Sequence, residues 1–592
     1  MSEATAKAAQ PGGLWRRVLP FWLLFSAAFL AFRWDYVTSL RQADPDDTLR
    51  LIQVRDLLAG QGWFDLHQYR INPPDGVVMH WSRLVDLPIA ALDLLLRPVL
   101  GTALAEKATL AIVPLLTFGV LLFLLAKLAR RLFDDRLIGY AALLAGTSFP
   151  VITQVMPTRI DHHGWQIVAA VAAMLGLTDP DPRRGGRVAG LALALGMAIS
   201  LELLPLAAVF GAVFALDWLL RRDGGTRFTN YMAALAVSAF AAFALTRGPD
   251  LTNYCDAVSP AYLAALGIMA GGSLLTARLA PASPLRIVLG LGLSAAASAA
   301  ALVLIAPACK AGPFAALDPL LQAMWASNVL EAMPVWELDN PAKAQWIIPP
   351  AAALIAAFML WRSGDAERRR LWLSYGLALA GAMLLGTLVL RSMSFAVAYA
   401  IVPLAWLVRS LVGKLETARG LPHKLGVVAM LLIVVMPALP VYLYDTAMGV
   451  EEDKATTASG ADDGASTGGN PVPAVTALKS LPAGTIFAPL DQGPWILLNT
   501  AHSVVATGHH RGVKPMHDVM VGFIVDPPVA RHILRQHGVR YVVLVPESNE
   551  VKLYRSTGPT GLAAQLSAGR VPDWLEPLPM PKGTLGFRVI ER

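Results

Sequence analysis

The sequence has few charged residues and only two cysteines, and it contains no nucleotide-binding motif. Asp, Glu, Lys and Arg make up 15% of its 592 residues, against about 25% in ordinary soluble domains. This composition excludes a soluble enzyme with a large core. There is no P-loop, no dinucleotide fingerprint and no internal repeat, so no nucleotide cofactor is expected.

Apolar residues are abundant and occur in long runs. They make up 55% of the chain, and the mean hydropathy is +0.52. Many runs approach the roughly 20 residues that a helix needs to cross ~30 Å of hydrocarbon. Residues 110–125 are apolar almost without a break, whereas an outer-membrane barrel alternates in hydropathy over about ten residues. The pattern predicts a polytopic α-helical membrane protein.

Thirteen apolar runs are predicted to be transmembrane helices. They are residues 18–32, 107–127, 137–156, 165–178, 187–201, 203–220, 228–246, 260–278, 285–306, 346–361, 371–390, 393–412 and 425–445. Lys7, Arg16 and Arg17 precede the first run, and no small-residue cleavage signal follows it. We therefore expect an uncleaved first span with its N-terminus in the cytoplasm.

The loop charges support this count, because every second loop is basic. The basic loops are 130–136, 183–187, 221–227, 278–286, 362–370 and 414–424. Cytoplasmic loops collect Lys and Arg, which explains the net charge of +7 without a nucleic-acid partner. The scheme requires residues 84–100 to form a helix on the outer surface, not a span. It places the protein in a bacterial inner membrane, in contact with membrane lipids, with its C-terminus in the periplasm.

The predicted domains are a membrane domain of residues 1–445, a flexible linker of 446–472 and a periplasmic α/β domain of 473–592. The membrane domain includes large outer loops at 33–106 and 307–345. In the tail, β-rich runs at 485–488, 503–506, 539–545 and 586–590 alternate with helical pieces such as 529–537. Cys255 and Cys309 both fall in outer loops, where an oxidising compartment permits a disulfide; two free thiols are the alternative.

Two acidic motifs lie at the outer surface. Asp44, Asp46 and Asp47 follow the first span, and either Asp46 or Asp47 is predicted to cap the next helix. Packed carboxylates also suit an oxygen-ligated divalent cation. The short loop 157–164 contains Asp161 and His163, which can reach one ion if the turn is not helical. The alternative is a helix cap at Asp161 with interfacial histidines.

Two further segments supply single charged residues. Glu331 lies in the loop 307–345 between Trp325 and Trp336, which alone would be typical of an aromatic belt. Arg391 lies in a tight turn between two apolar runs, where an unpaired guanidinium is costly. It is predicted to meet an anionic headgroup or a carboxylate. A lipid-linked phosphate fits well, and an ordinary phospholipid contact is the alternative.

These motifs resemble the GT-C superfamily of membrane glycosyltransferases, and within it the catalytic subunit of oligosaccharyltransferases. Asp44-Pro45 with the downstream Arg50 resembles the first acidic motif of that family, and Asp161-His162-His163 resembles the second. Residues 328–331 occupy the place of the short motif ending in Glu, and Arg391 that of the arginine that meets the donor pyrophosphate. The resemblance covers nearly the whole chain.

The tail departs from the family. Where the family carries Trp-Trp-Asp followed by an aromatic residue and Gly, this chain has Asp491-Gln492-Gly493 preceded by Pro489 and Leu490. The pocket that reads the Asn acceptor sequon is therefore not expected. A glycan, a lipid or a protein hydroxyl is the expected acceptor.

The resemblance implies a polyprenyl-linked sugar donor, a periplasmic acceptor and a divalent cation, Mn²⁺ or Mg²⁺. It assigns catalysis to Asp44, Asp161 and Glu331, and metal binding to Asp44, Asp161 and His163. The donor phosphate is assigned to Arg391, Arg159 and Arg50. Candidates on the acceptor side are Asp491, His509, His510, Arg511, His162 and His80.

Two alternatives stay open on the sequence alone. One is a monosaccharide transferase that uses a polyprenyl monophosphate to modify lipid A. The other is a lipid-linked glycan transporter, which normally shows polar residues in mid-span and symmetry between its halves. Neither feature is visible in the sequence.

Overall fold

The computed structural model describes residues 11–42, 44–279, 282–314, 316–448 and 476–590. It consists of a helical bundle that carries three outer parts: the first outer loop, the loop 307–345 and the tail. The linker predicted at 446–472 lies almost entirely outside the described residues.

Each of the thirteen predicted runs is mostly helical in the structure, with breaks at Ser148 and at 436–437 and turns at 153–156. The described helices of the bundle and its outer loops are Pro11–Phe32, Trp34–Ser39, Pro45–Leu58, Arg83–Leu132, Leu137–Thr147, Phe149–Ile152, His163–Leu177, Pro182–Ile199, Leu204–Arg221, Thr226–Thr246, Pro260–Leu279, Pro284–Ile305, Pro319–Met324, Asn340–Ser363, Ala366–Leu388, Met393–Thr417, Leu421–Val435 and Ala438–Met448. A multi-pass helical membrane protein is thereby confirmed as the fold class.

Fewer than thirteen of the helices that the structure describes have the length and composition of a membrane span. Among the described helices, nine are long and apolar enough to cross a membrane, or ten if the bent pair Leu421–Val435 and Ala438–Met448 is one span. The runs 137–156, 165–178 and 187–201 fall short. At 1.5 Å per residue, the 15 residues of His163–Leu177 cover only about 22 Å. This helix is almost entirely enclosed by protein, so it is not required to match the lipid thickness.

The helix Arg83–Leu132 changes direction at Gly101, whose φ of 71° and ψ of 166° are not helical. Before this break, Asp86 is fully buried while Leu95 and Val99 are 71% and 83% exposed. The break agrees with the expectation that residues 84–100 form a helix separate from the span that follows.

Close helix packing in the bundle depends on glycine. A Cβ on Gly186 would lie 2.3 Å from the carbonyl oxygen of Arg227, and one on Gly190 would lie 2.5 Å from that of Tyr231. The helices Pro182–Ile199 and Thr226–Thr246 therefore approach backbone to backbone, as small residues allow in membrane proteins.

The tail contains the predicted α/β unit. Its strands are β3 (Thr485–Phe487), β4 (Ser503–Val504), β5 (Val539–Leu544), β6 (Leu575–Pro577) and β7 (Leu585–Val589), while β1 (His67–Gln68) and β2 (Val77–Val78) form a hairpin in the first outer loop. The sheet order is β4-β3-β5-β7-β6, parallel among the first three strands and antiparallel beyond β5. Its helices are Gly493–Asn499, Val513–Ile524, Pro527–Gln536, Asn549–Thr557 and Leu562–Ser567.

The four predicted strands and the predicted helix are all present, within a few residues of their expected bounds. β6 was not expected, because three residues ending in Pro577 lack a readable alternation. A proline is tolerated there because β6 is the edge strand.

The first outer loop binds backbone groups of the tail. Arg70 donates hydrogen bonds to the carbonyl oxygens of Leu497 and Thr500 at 2.8 and 2.6 Å. The N–H of Val504 donates to the carbonyl of Arg70, and the N–H of Asn72 donates to the carbonyl of Val504, each at 2.9 Å. The loop therefore adds a backbone pairing at the β4 edge of the tail sheet.

The loop 307–345 packs on the tail from another side. Leu317, Leu321 and Met324 are buried in the core of the tail. Cys309, in the same loop, forms a disulfide with Cys255, as the positions of the two cysteines allowed. Because the disulfide joins two outer loops, it ties the part of the bundle next to residue 255 to the surface on which the tail rests.

Candidate active site

The bundle, the first outer loop, the loop 307–345 and the tail enclose one cavity of about 1360 Å³. Nine of the predicted site residues line it, from all four parts. They are Asp44, His80, Arg159, His162, Glu331, Arg391, Asp491, His509 and His510. Segments that are far apart in the sequence thus converge on one space.

Asp44 begins the helix Pro45–Leu58. Its Oδ1 accepts a hydrogen bond of 2.9 Å from the N–H of Asp47, and Pro45 follows in the first turn, where its missing N–H costs nothing. The expectation that Asp46 or Asp47 caps this helix was wrong. A cap must precede the helix, and the helix begins two or three residues earlier than a cap at Asp46 or Asp47 requires.

Arg159 joins the two acidic motifs. Its guanidinium contacts Asp44, Asp47 at 3.1 Å and Asp161 at 2.9 Å. Asp47 Oδ1 also accepts hydrogen bonds from the N–H groups of Ile160 and Asp161, at 2.7 and 2.9 Å. The loop after residue 156 is therefore bound directly to the start of the helix Pro45–Leu58.

The three carboxylates each have an oxygen within 4.8 Å of the others, and their pKa values diverge. Burial would raise the pKa of Asp161, but the charges of Arg159 and His163 outweigh it and hold this pKa well below its ordinary value. Burial and the charge of Asp161 raise the pKa of Asp47 well above its ordinary value. Strongly shifted pKa values of this kind are common at functional sites.

The structure divides the predicted metal ligands between two groups. Asp44 and Asp161 lie in a group with Asp47, whereas His163 lies in a second group with His162 and Glu202. His163 Nδ1 lies 3.0 Å from Asp161 Oδ2, and its Nε2 lies 3.5 Å from Glu331 Oε2. His163 thus connects the acidic group to Glu331. Burial and the charge of His163 lower the pKa of His162 to about 3, so His162 is neutral.

Arg391 meets a carboxylate in the structure. It lies in a short 3-10 turn between the helices Ala366–Leu388 and Met393–Thr417, and its Nη1 is 2.9 Å from Glu202 Oε1. Gln166 donates a hydrogen bond of 3.2 Å to the other oxygen of Glu202. Glu202 was not among the predicted residues. Its signal was available, because it is an acid in a tight turn between two apolar runs.

Arg50 is held by partners in the first outer loop. Its guanidinium pairs with Asp86 at 2.9 Å and lies over the ring of Trp81, where the side chain is fully buried. Among the described residues, it is outside the lining of the cavity. The predicted donor-phosphate role of Arg50 therefore finds no support in its position.

On the tail side, Asp256 anchors two predicted residues. It accepts a hydrogen bond from Arg511 at each oxygen, both at 2.8 Å, and lies 2.7 Å from His510 Nε2. Burial would raise the pKa of Asp256, but the hydrogen bonds from His510 and Arg511 outweigh this effect. They hold the pKa of Asp256 well below its ordinary value. His80 packs on His510 with ring centroids 4.5 Å apart. Arg511 therefore serves the docking of the tail and does not itself line the cavity.

The cavity lining carries an excess of negative charge. Eight carboxylates and four basic side chains line it in the described part of the chain. Of the lining acids, Asp44 pairs with Arg159 and Glu202 pairs with Arg391. An anionic ligand would meet net repulsion here unless a cation accompanied it.

No family model matches the chain, and no curated protein matches its sequence. Solved structures do match. The apo crystal structure of the oligosaccharyltransferase from Archaeoglobus fulgidus has a TM-score of 0.67 at 14% identity, over 97% of this chain and 74% of that one. The archaeal oligosaccharyltransferase AglB of the same organism, in complex with an inhibitory peptide and a dolichol-phosphate, gives 0.66 at 15% identity over the same shares.

The crystal structure of the Archaeoglobus fulgidus oligosaccharyltransferase in complex with Zn and sulfate has a TM-score of 0.55 at 15% identity, over 96% of this chain and 73% of that one. At such identities, the matches show a common fold. The fold is that of the oligosaccharyltransferase structures, as the sequence motifs led us to expect.

Proposed function

We propose that this chain is a membrane glycosyltransferase that transfers a sugar or an oligosaccharide from a polyprenyl phosphate or pyrophosphate to a hydroxyl acceptor. We place the reaction at the periplasmic face of a bacterial inner membrane. One observation carries the proposal: Asp44, Arg159, Glu331 and Arg391 converge on one cavity in a chain with an oligosaccharyltransferase fold. The dolichol-phosphate in the AglB complex supports a polyprenyl donor.

Arg391 is the residue that we expect to bind the leaving phosphate. Its planar guanidinium can hold two phosphate oxygens at once. Glu202 occupies that guanidinium in the structure, at 2.9 Å. We infer that the phosphate replaces Glu202 when the donor enters.

A divalent cation fits the acidic side of the cavity. Asp44, Asp47 and Asp161 offer oxygen ligands within 4.8 Å of one another, a donor set that suits Mg²⁺ and Mn²⁺. When bound, the ion supplies positive charge against the phosphate charge that grows during transfer. The Zn in one of the similar structures supports a metal in this fold.

In the transfer step, the acceptor oxygen bonds to the anomeric carbon as the bond from that carbon to the phosphate oxygen breaks. The acceptor hydroxyl loses its proton to a carboxylate, and the departing phosphate keeps the electron pair. Glu331 and Asp44 both line the cavity, and we assign the proton acceptance to one of them. A hydroxyl is easier to activate than a carboxamide, so the missing tryptophan pair of the tail does not prevent this chemistry.

A donor panel tests the proposal. The purified chain, in lipid nanodiscs with Mn²⁺, is offered polyprenyl monophosphate and pyrophosphate sugars, and donor consumption is followed by mass spectrometry. We expect at least one donor to be consumed, and we expect EDTA to stop the reaction and Mn²⁺ to restore it.

Asp161→Ala and Arg391→Ala should each abolish consumption, while Glu576→Ala, on the edge strand of the tail, should behave as the wild type. Absence of consumption across the panel would overturn the proposed function. Consumption that persists in EDTA would overturn the metal.

A further inference from the structure

Three segments meet at the tail end of the cavity. A Cβ built on Gly508 would lie 3.4 Å from Trp325 Nε1 and 3.6 Å from Asp491 Oδ1. A tail turn, the loop 307–345 and the segment that replaces the Trp-Trp-Asp motif are therefore adjacent. Trp325, Asp491, Gly508 and the neighbouring His509 all line the cavity.

His509 is held in the cavity wall by contacts at both ring nitrogens. Its side chain is 2% exposed, and its Nδ1 is 2.8 Å from Thr507 Oγ1. Its Nε2 is 3.3 Å from Asp46 Oδ1, but the contact lacks hydrogen-bond geometry. A ligand hydroxyl could therefore still form a well-directed hydrogen bond with this nitrogen.

Trp325 offers an aromatic surface beside these polar groups. Its ring packs edge-on against Phe314, with centroids 6.2 Å apart and planes at 84°, so its orientation is fixed by packing. Asp491 is fixed through its backbone, since its N–H donates to Glu550 Oε2 at 3.1 Å. An oriented aromatic ring next to a carboxylate and an imidazole matches a sugar ring, which has apolar C–H faces and a rim of hydroxyls.

The charge of this end of the cavity narrows the choice of acceptor. Asp46, Asp491 and Glu547 line it, with Lys582 as the basic residue among them. Glu550 also lies there, but burial and the charge of Asp491 raise its pKa to about 8, so it adds little negative charge. An anionic acceptor would be repelled. A neutral ligand that donates several hydrogen bonds would be accepted.

We infer that the acceptor is a neutral saccharide, whose ring stacks on Trp325 and whose hydroxyls bind Asp491 and His509. This inference rests on the proposed transferase function. It names the class of acceptor, which the donor chemistry leaves undetermined. A peptide acceptor is the contrary outcome, since the solved relative carries an inhibitory peptide.

Saturation-transfer NMR with the full chain in nanodiscs tests this inference. The probes are the methyl glycosides of mannose, glucose, galactose and rhamnose, and a blocked Ala-Asn-Ala-Thr-Ala peptide. We expect at least one glycoside to bind the wild type and the peptide not to bind. Trp325→Ala should weaken glycoside binding about tenfold or more.

Two further variants separate loss of the subsite from loss of the fold. Gly508→Leu places a side chain between Trp325 and Asp491 without removing a polar group, and it should weaken glycoside binding similarly. Trp336→Ala changes a 55% exposed residue of the same outer loop and should bind glycosides as the wild type does. Retained binding in both Trp325→Ala and Gly508→Leu would overturn the inference, as would peptide binding without glycoside binding.

Binding of undecaprenyl phosphate, measured on the same samples by native mass spectrometry, separates the two proposals. Undecaprenyl phosphate binding without any glycoside binding would overturn the acceptor class and leave the transferase standing. Glycoside binding without undecaprenyl phosphate binding, together with a silent donor panel, would overturn the transferase.

Discussion

Arg159 contacts three carboxylates that belong to two separate outer segments. Its side chain is 9% exposed, so water screens these ion pairs only weakly. Removing one partner of a buried ionic cluster leaves charge without compensation, which costs about 3–5 kcal/mol. The same cluster is the proposed cation site, so the guanidinium and an added ion share the task of neutralising Asp44, Asp47 and Asp161.

We expect Arg159→Gln to lower the melting temperature and abolish donor consumption, because three acids would then face one another. Mn²⁺ should raise the melting temperature more in this variant than in the wild type, since it replaces the missing positive charge. Thermal unfolding followed by tryptophan fluorescence, with and without Mn²⁺, checks this. Arg159→Lys, which keeps the charge, is the control. Equal stabilisation of the wild type and Arg159→Gln would contradict the shared role.

The docking of the tail depends on pH through the ionisation of Asp256. His80, His510 and Arg511 face its carboxylate, and its pKa in the folded chain is well below the ordinary value. A carboxyl with a lowered pKa stabilises the folded state above its unfolded pKa of about 3.9, and this contribution is lost as the pH falls below that value.

The protection of residues 508–524 against hydrogen exchange should therefore be constant between about pH 5 and 8. It should decrease below about pH 4. In Asp256→Asn, protection should be lower at every pH. Its decrease in acid should be smaller than in the wild type, because this carboxyl is absent. An unchanged acid response in the variant would show that another group controls docking.

The site residues differ in how far the sequence could indicate them. Asp44, Asp161, Glu331 and Arg391 belong to short motifs at the ends of apolar runs, so local sequence is sufficient to find them. Glu202 and Asp256 lack a motif, and their roles depend on partners that are distant in the chain. Which residues share a ligand group also depends on packing, since Asp47 takes the place beside Asp44 and Asp161 that was predicted for His163.

At the scale of helices, glycine controls how closely the bundle packs. Gly190 lies against the backbone of Tyr231, where a Cβ would be 2.5 Å from the carbonyl oxygen. Any side chain there forces the helices Pro182–Ile199 and Thr226–Thr246 apart. Overpacking of this kind costs about 1–3 kcal/mol, occasionally more.

Gly190→Leu should therefore reduce the melting temperature and the yield of folded protein. Gly292→Leu is a matched control, because a Cβ at Gly292 in the helix Pro284–Ile305 meets no atom within 4 Å. The two variants add the same side chain to helices of the same bundle. Equal melting temperatures would contradict the proposed close approach.

The helices were predictable because hydropathy is a local property of the chain. All thirteen runs are mostly helical, and the alternation of loop charge led us to expect that residues 84–100 are not a span. The number of spans was not predictable in the same way. A short or arginine-bearing helix is acceptable where neighbouring helices enclose it, and sequence alone does not show which helices are enclosed.

For the whole molecule, the bent pair Leu421–Val435 and Ala438–Met448 determines where the tail lies. The two helices meet at 101°, so they form either one broken span or a loop that returns to its own side. The contacts of the tail with Arg70 of the first outer loop favour a broken span. The basic loop 414–424 before the pair lies in the cytoplasm, so one further crossing is needed to bring the tail to the outer side.

Reporter fusions at residues 366 and 460 should accordingly report opposite sides of the membrane. The chain between them contains Ala366–Leu388, Met393–Thr417 and the bent pair, which together make three crossings. Alkaline phosphatase and green fluorescent protein fusions are a suitable pair of reporters. The same side for both positions would mean that the bent pair turns back.

The pairing between the first outer loop and the tail also constrains how the chain is made. Arg70 binds the carbonyl of His502, 432 residues later. At about 5–20 residues per second, a ribosome needs roughly 20–90 s to cover that distance. For that interval the nascent loop waits at the membrane with its tail partner still unsynthesised, so any factor that protects the loop during translation has to act before the tail emerges.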